Sequence, residues 1–148
     1  MAFTGNAFCT SAKVGFLKGD YTPLVDTMKI ALYTNSATLD ITTDFYVPTT
    51  GQGAFEVVGT GYTIGGNTLT GKVISYDATS PGTAWITFSN SIWTTATFTA
   101  RGALIYDSTR SNAAIAVLDF GADKTVTSGT FTVQMPAATA STALIRIA

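Results

Sequence analysis

Short apolar runs broken by Gly, Pro, Asn, Asp and Ser recur along the chain from Lys29 to Ala148. In most of them apolar and polar side chains alternate with a period of two, as in strands that bury one face. Lys29–Thr34 is the first, closed by Asn35-Ser36. Phe55–Val58, Thr68–Tyr76, Thr83–Ser89, Trp93–Thr99, Arg101–Tyr106, Ala113–Phe120, a run opened by Gly129 and closed by Pro136, and Ala143–Ala148 follow. Thr83–Ser89 carries large groups on both faces, Trp85 on one and Ile86 and Phe88 on the other, which marks a central strand. Ser80-Pro81-Gly82 and Gly121–Thr125 read as turns, and Asp107–Asn112 as the loop of a hairpin. Ala37–Pro48 is an excursion, because Asp40, Thr42, Thr43 and Asp44 interrupt the alternation and Pro48 cannot donate to a ladder. The only helical stretch is Ser11–Lys18, with Ser11 as cap, Gly19 as terminator, and Val14 and Leu17 on one side.

About eight strands without helical crossovers imply an all-β domain with antiparallel pairing, in a sandwich or a barrel. A β-sandwich of jelly-roll type is preferred. Residues 1–27 then form an N-terminal arm with a short helix, and residues 28–148 the sandwich. A length of 148 residues suits one domain of this kind.

Composition sharpens the picture. Hydrophobic residues make up 46% of the chain but charged ones only 11%, against roughly 25% in average soluble domains. Thr, Ser, Asn and Gly must cover the outside, or neighbours must. A net charge of -1 and an isoelectric point near 5.0 give no field for nucleic acid. The mean hydropathy of +0.30 comes from short alternating segments, not from an apolar run able to span a membrane. The first ten residues have no basic or apolar region of a secretory signal, so the product is expected to stay where it is made until the cell opens.

The chain has no histidine, and Cys9 is its single cysteine. Ser-His-Asp and Cys-His catalysis, histidine metal sites and intramolecular disulfides are thereby excluded, leaving carboxylate, Lys or Tyr chemistry. Cys9 reads as a small apolar residue. The glycines of Gly59–Gly66 lack the spacing of a dinucleotide loop and precede no helix, so they read as a bend. Asp119-Phe120-Gly121 matches a kinase tripeptide by chance, since no catalytic loop accompanies it. Asp26, Asp40, Asp44 and Asp77 lie in or near loops without calcium-loop spacing. Glu56 is the only glutamate, so a glycosidase pair needs an aspartate brought beside it by folding. Trp85 and Trp93 fit core packing better than a sugar platform. Arg101, inside an apolar strand, needs Asp107, Asp119 or an intersubunit contact.

Several blocks resemble small virion proteins of tailed bacteriophages: Met28–Thr34, Gly59–Gly66, Trp93–Ala103, Ile105-Tyr106, Ala116–Gly121 and the closing Leu144–Ile147. The similarity runs from about Met28 onward. It implies a non-enzymatic virion component without cofactor, preferably a capsid decoration or cement protein on the capsid exterior, assembled in the host cytoplasm. Its partners would be the major capsid protein and copies of itself, in dimers or trimers. A neck or tail component is the alternative within that class. A carbohydrate- or receptor-binding module and a carboxylate hydrolase remain outside it. The arm and the excursion are the expected contact regions, with Phe3, Phe8, Phe45, Tyr46 and Arg101 as interface residues.

Overall fold

The computed structural model describes residues 3–79 and 82–148, so the turn expected at Ser80-Pro81 lies outside the described residues. Among these, eight strands form two antiparallel sheets, an all-β sandwich with one α-helix. The strands are β1 (Ala7–Phe8), β2 (Met28–Tyr33), β3 (Asn67–Thr68), β4 (Val73–Asp77), β5 (Thr83–Thr87), β6 (Ser91–Asp107), β7 (Ala113–Val133) and β8 (Ile145–Ile147). One sheet has the order β1-β7-β6-β2-β3 and the other β4-β5-β8.

β2 explains the continuous apolar stretch of the sequence. It lies between β6 and β3 with Ile30 opposite Ile105 and Leu32 opposite Ala103, and it is covered on both faces. Met28, Ile30, Ala31, Leu32 and Tyr33 are all buried. Burying each large apolar side chain contributes about 1.5–3 kcal/mol, so β2 is the strand the fold can least lose. β5, expected to be central, is the middle strand of the smaller sheet.

Four expected boundaries differ. The turn at Gly121–Thr125 and the break near Ala100 are absent, because β6 and β7 run on as one hairpin of 17 and 21 residues. Register shifts between Trp93 and Ala96, Ala96 and Phe98, and Ala100 and Gly102 absorb the irregular residues as bulges. Thr68–Tyr76 divides into β3 and β4, which belong to different sheets. Phe55–Val58 is not a full strand: a 3-10 turn at Gly51–Phe55 leads into Glu56 and Val57, which bond to the edge of β2. The Asp107–Asn112 loop does close the hairpin, with Ser111 and Asn112 left-handed at φ 54° and 61°.

Helix α1 spans Thr10–Lys18 and ends at Gly19 as expected, with Gly19 left-handed at φ 76°. Its start and its buried side differ from expectation. Cys9 occupies the cap without a side-chain bond, and the hydroxyl of Ser11 is buried without a partner. The helix buries the small residues Ala12 and Gly15, while Val14 and Leu17 face solvent. The Tyr21 ring lies where a Cβ at Gly15 would sit, and that close approach dictates the buried side.

The first residues are fastened to the same sheet. Ala7 and Phe8 pair with Val117 and Ala116, and Phe3 is buried over Gly102. Cys9 is fully buried, and burial pushes its thiol up to about 11, with Asp44 and Asp40 adding to the shift.

Candidate functional site

The densest convergence of polar groups among the described residues centres on Glu56, which is buried. Its Oε1 accepts the Tyr62 hydroxyl at 2.6 Å and the Gly65 N–H at 2.7 Å, and its Oε2 accepts the Tyr46 hydroxyl at 2.8 Å. Tyr62 in turn accepts the Leu32 N–H at 2.9 Å. Tyr106 donates to the Gly65 carbonyl and stacks on Tyr46 at 4.3 Å between ring centres. Burial raises the Tyr62 and Tyr46 hydroxyls well above the ordinary value, and the Glu56 carboxylate raises them further. Tyr106 is pushed up to about 12 by the same two causes in the same order.

A general acid or base needs a free position within reach of substrate. Both oxygens of Glu56 are occupied by protein donors, and none of the cavities described below borders it. The cluster therefore acts as a lock that holds residues 56–66 across β2. Gly66 completes it: at φ 66° it brings its backbone so close to Ile30 that a Cβ would lie 1.8 Å from the Ile30 carbonyl oxygen.

The five residues expected at an interface do not form one surface. Phe3 and Tyr46 lie in the chain's own core, and Phe8 is half-buried against Phe16. Arg101 pairs with Asp119 at 3.2 Å, one of the two partners expected. Phe45 alone is exposed, at 56%, and the excursion around it also exposes Ile41 and Val47. Trp93 is buried in a cluster with Tyr62 and Phe131 and does not share a surface with the half-buried Trp85.

The surface feature that sequence reading missed is an apolar groove of about 200 Å³ between α1, the segment after it and the smaller sheet. Phe16 and Pro23 form one wall, and Ile74, Ala84, Ile86 and Ile147 the other. Leu17 next to Phe16, Leu24 and Val25 after Pro23, and Tyr76 opposite Ala84 are exposed, Leu17 at 89%. The cross-strand rows Ile74–Ile86–Ile145 and Tyr76–Ala84–Ile147 put these β-sheet side chains on one face. Alternation along each strand announced that face but not that half of it stays uncovered.

A second surface lies along β7. β1 pairs with Ala116 and Val117 and Asn6 accepts the Asp119 N–H at 2.8 Å, so it is beyond Phe120 that no strand pairs with the outer edge of β7 among the described residues. A cavity of about 410 Å³ lies between Phe120 and Lys124 on one side and Phe131 to Gln134 on the other, with the Phe120 and Phe131 rings 6.2 Å apart. The hairpin also exposes Thr94, Thr97, Thr99, Thr125, Thr127 and Thr132, with Thr99 and Thr125 hydroxyls 2.8 Å apart. Threonine thus covers surface that charge covers elsewhere.

Among the described residues no helix is long and apolar enough to cross a membrane, and no group of three or more His, Cys, Asp or Glu side chains is placed to hold a metal ion. No protein-family model, characterised protein or solved structure matches the chain.

Proposed function

We propose that the chain is a structural subunit of a tailed-bacteriophage virion, a capsid decoration or cement protein that binds the major capsid protein and copies of itself. The single observation that carries this reading is the apolar groove and its rim. Fifteen large apolar side chains are exposed among the described residues of a chain with only 17 charged ones, and the groove is lined by apolar side chains alone. Isolated exposed apolar residues are ordinary, but a contiguous apolar face marks a surface made to be covered. The open edge of β7 offers a second attachment, by strand addition, with Asp123 and Lys124 limiting indiscriminate pairing. The blocks that resemble small virion proteins supply the kind of particle, and the low charge suits close, dry contacts.

The reading is tested by counting copies in purified particles by mass spectrometry and by placing charges on the groove. At least one copy per few capsid subunits is expected, whereas a single ring's worth would indicate the neck or tail. Tyr76→Asp with Ile147→Asp should abolish particle binding while leaving thermal stability nearly unchanged, since both side chains are more than half exposed. A double variant that binds as the parent does would exclude this face.

A further inference from the structure

We infer that Asp26 and Asp107 share one proton, and that this acid pair is a pH-sensitive latch holding residues 22–27, the lip of the apolar groove, to the tip of the β6–β7 hairpin. Both residues are buried, Asp26 to 3% exposure and Asp107 to 0%. Asp26 takes Arg110 at 3.2 Å on each carboxylate oxygen and the Thr22 N–H at 2.6 Å. Asp107 Oδ1 accepts the Thr109 and Arg110 N–H groups, but its Oδ2 is buried without a donor. Arg110 joins the two, its guanidinium on Asp26 and its backbone N–H on Asp107 Oδ1, and each carboxyl group shifts the titration of the other. Were both ionised, lone pairs would face lone pairs around a single guanidinium; one proton on Asp107 turns that contact into a bond.

The charged and titratable groups facing the pair are few. The 20–27 segment brings Asp20 and Tyr21, the hairpin tip brings Arg110, and Lys72 before β4 donates to the Asp26 carbonyl at 2.6 Å. The remaining ties, Ser108 to the Thr27 carbonyl and the Thr27 N–H to Thr109, do not titrate. Burial raises Asp107 above the ordinary 3.8, and the charge of Asp26 adds to it. Burial opposes ionisation of Asp26 as well, but the Thr22 N–H and Arg110 hold it below 3.8.

The sign follows from which state holds the proton. Between 3.8 and the raised value of Asp107 the open lip releases a proton that the closed lip retains, so opening becomes easier by about tenfold per pH unit in that window. Below 3.8 Asp26 is protonated in the open form first, and the Arg110 pair is lost as pH falls further. The lip, with Pro23, Leu24 and Val25, is therefore held most firmly near pH 3.8 and loosens as pH moves either way from it. Its consequence for docking rests on the role proposed above, whereas the shared proton does not.

The test is amide exchange of residues 22–27 in the full chain against pH, expressed as protection after correction for intrinsic exchange. Protection should fall about tenfold per unit across the window in the wild type and stay level in Asp107→Asn, whose amide donates to Asp26 at every pH. A level wild-type profile, or an unchanged slope in the variant, overturns the latch. Should the variant not fold, carboxyl carbon-13 titration of the wild type decides. Asp107 titrating above 3.8 and Asp26 below it supports the shared proton, and two ordinary titrations overturn it. Neither measurement involves a particle, so failure here is distinct from failure of the docking role.

Discussion

The Tyr62 hydroxyl stands 2.6 Å from Glu56 Oε1 and 2.9 Å from the Leu32 nitrogen, so one phenol joins the 56–66 crossing to the middle of β2. β3 pairs only with Lys29 and Ile30, and beyond them the edge of β2 is completed by this side chain and by the Glu56–Tyr33 bridge. A carboxylate and a phenol do here what a longer strand does elsewhere.

Removing that carboxylate should be costly. Glu56→Ala leaves the Tyr46 and Tyr62 hydroxyls and the Gly65 N–H buried without their acceptor, and about 3 kcal/mol or more of stability is expected to be lost. Glu56→Gln keeps an acceptor on one side and should cost about 1 kcal/mol. Urea unfolding measures both. A Glu56→Ala variant as stable as the parent would mean that packing alone holds the crossing.

Phe3 and Gly102 make a second testable fit. A Cβ at Gly102 would lie 2.4 Å from Phe3 Cε1 and 2.5 Å from the Leu118 carbonyl oxygen, so the ring occupies the space the glycine leaves. Phe3→Ala should cost about 3 kcal/mol or more by leaving a cavity. Gly102→Ala should expel the ring and open residues 3–8 to proteolysis. Because both act on one contact, the double variant should cost less than the two single losses together. Full additivity in denaturant unfolding would show that the two residues do not share a contact energetically.

These contacts also show what the sequence could and could not announce. Short apolar runs between turn residues located β2, β5 and the arms of the long hairpin, and Gly19 marked the helix end. Gly121 and Ser128 did not reveal whether they bend a strand or end it, since left-handed φ values of 75° and 47° serve a bulge as readily as a turn. The expected helix side rested on Val14 and Leu17, yet a close approach of Tyr21 needs Gly15, and Phe16 packs against Phe8 and Tyr21. Arg101 had two candidate partners, and the register that sets Gly102 opposite Asp119 chose between them. The Glu56 lock was out of reach, because residues 46, 56, 62 and 106 converge only through the pairing of β2 with β6.

The same cluster should make the fold alkali-sensitive in a characteristic way. Tyr33, Tyr46, Tyr62 and Tyr106 are all raised above the ordinary value of 10.0 by burial first and by Glu56 in addition. A raised acid keeps its proton in the folded chain while the unfolded chain gives its proton up above pH 10, so stability falls as pH rises beyond that point. Each such tyrosine removes about 1.4 kcal/mol per pH unit, and four acting together remove about 5 kcal/mol per unit, a large part of a typical domain's 5–15 kcal/mol. The chain is therefore expected to unfold in one cooperative step within about two units above pH 10. Four of its six tyrosines should ionise in that step, with tyrosinate absorbance and far-ultraviolet circular dichroism changing together. Gradual ionisation of all six from pH 10 with the circular dichroism unchanged would show that solvent reaches the hydroxyls in the folded chain, and the lock around Glu56 would then not be closed.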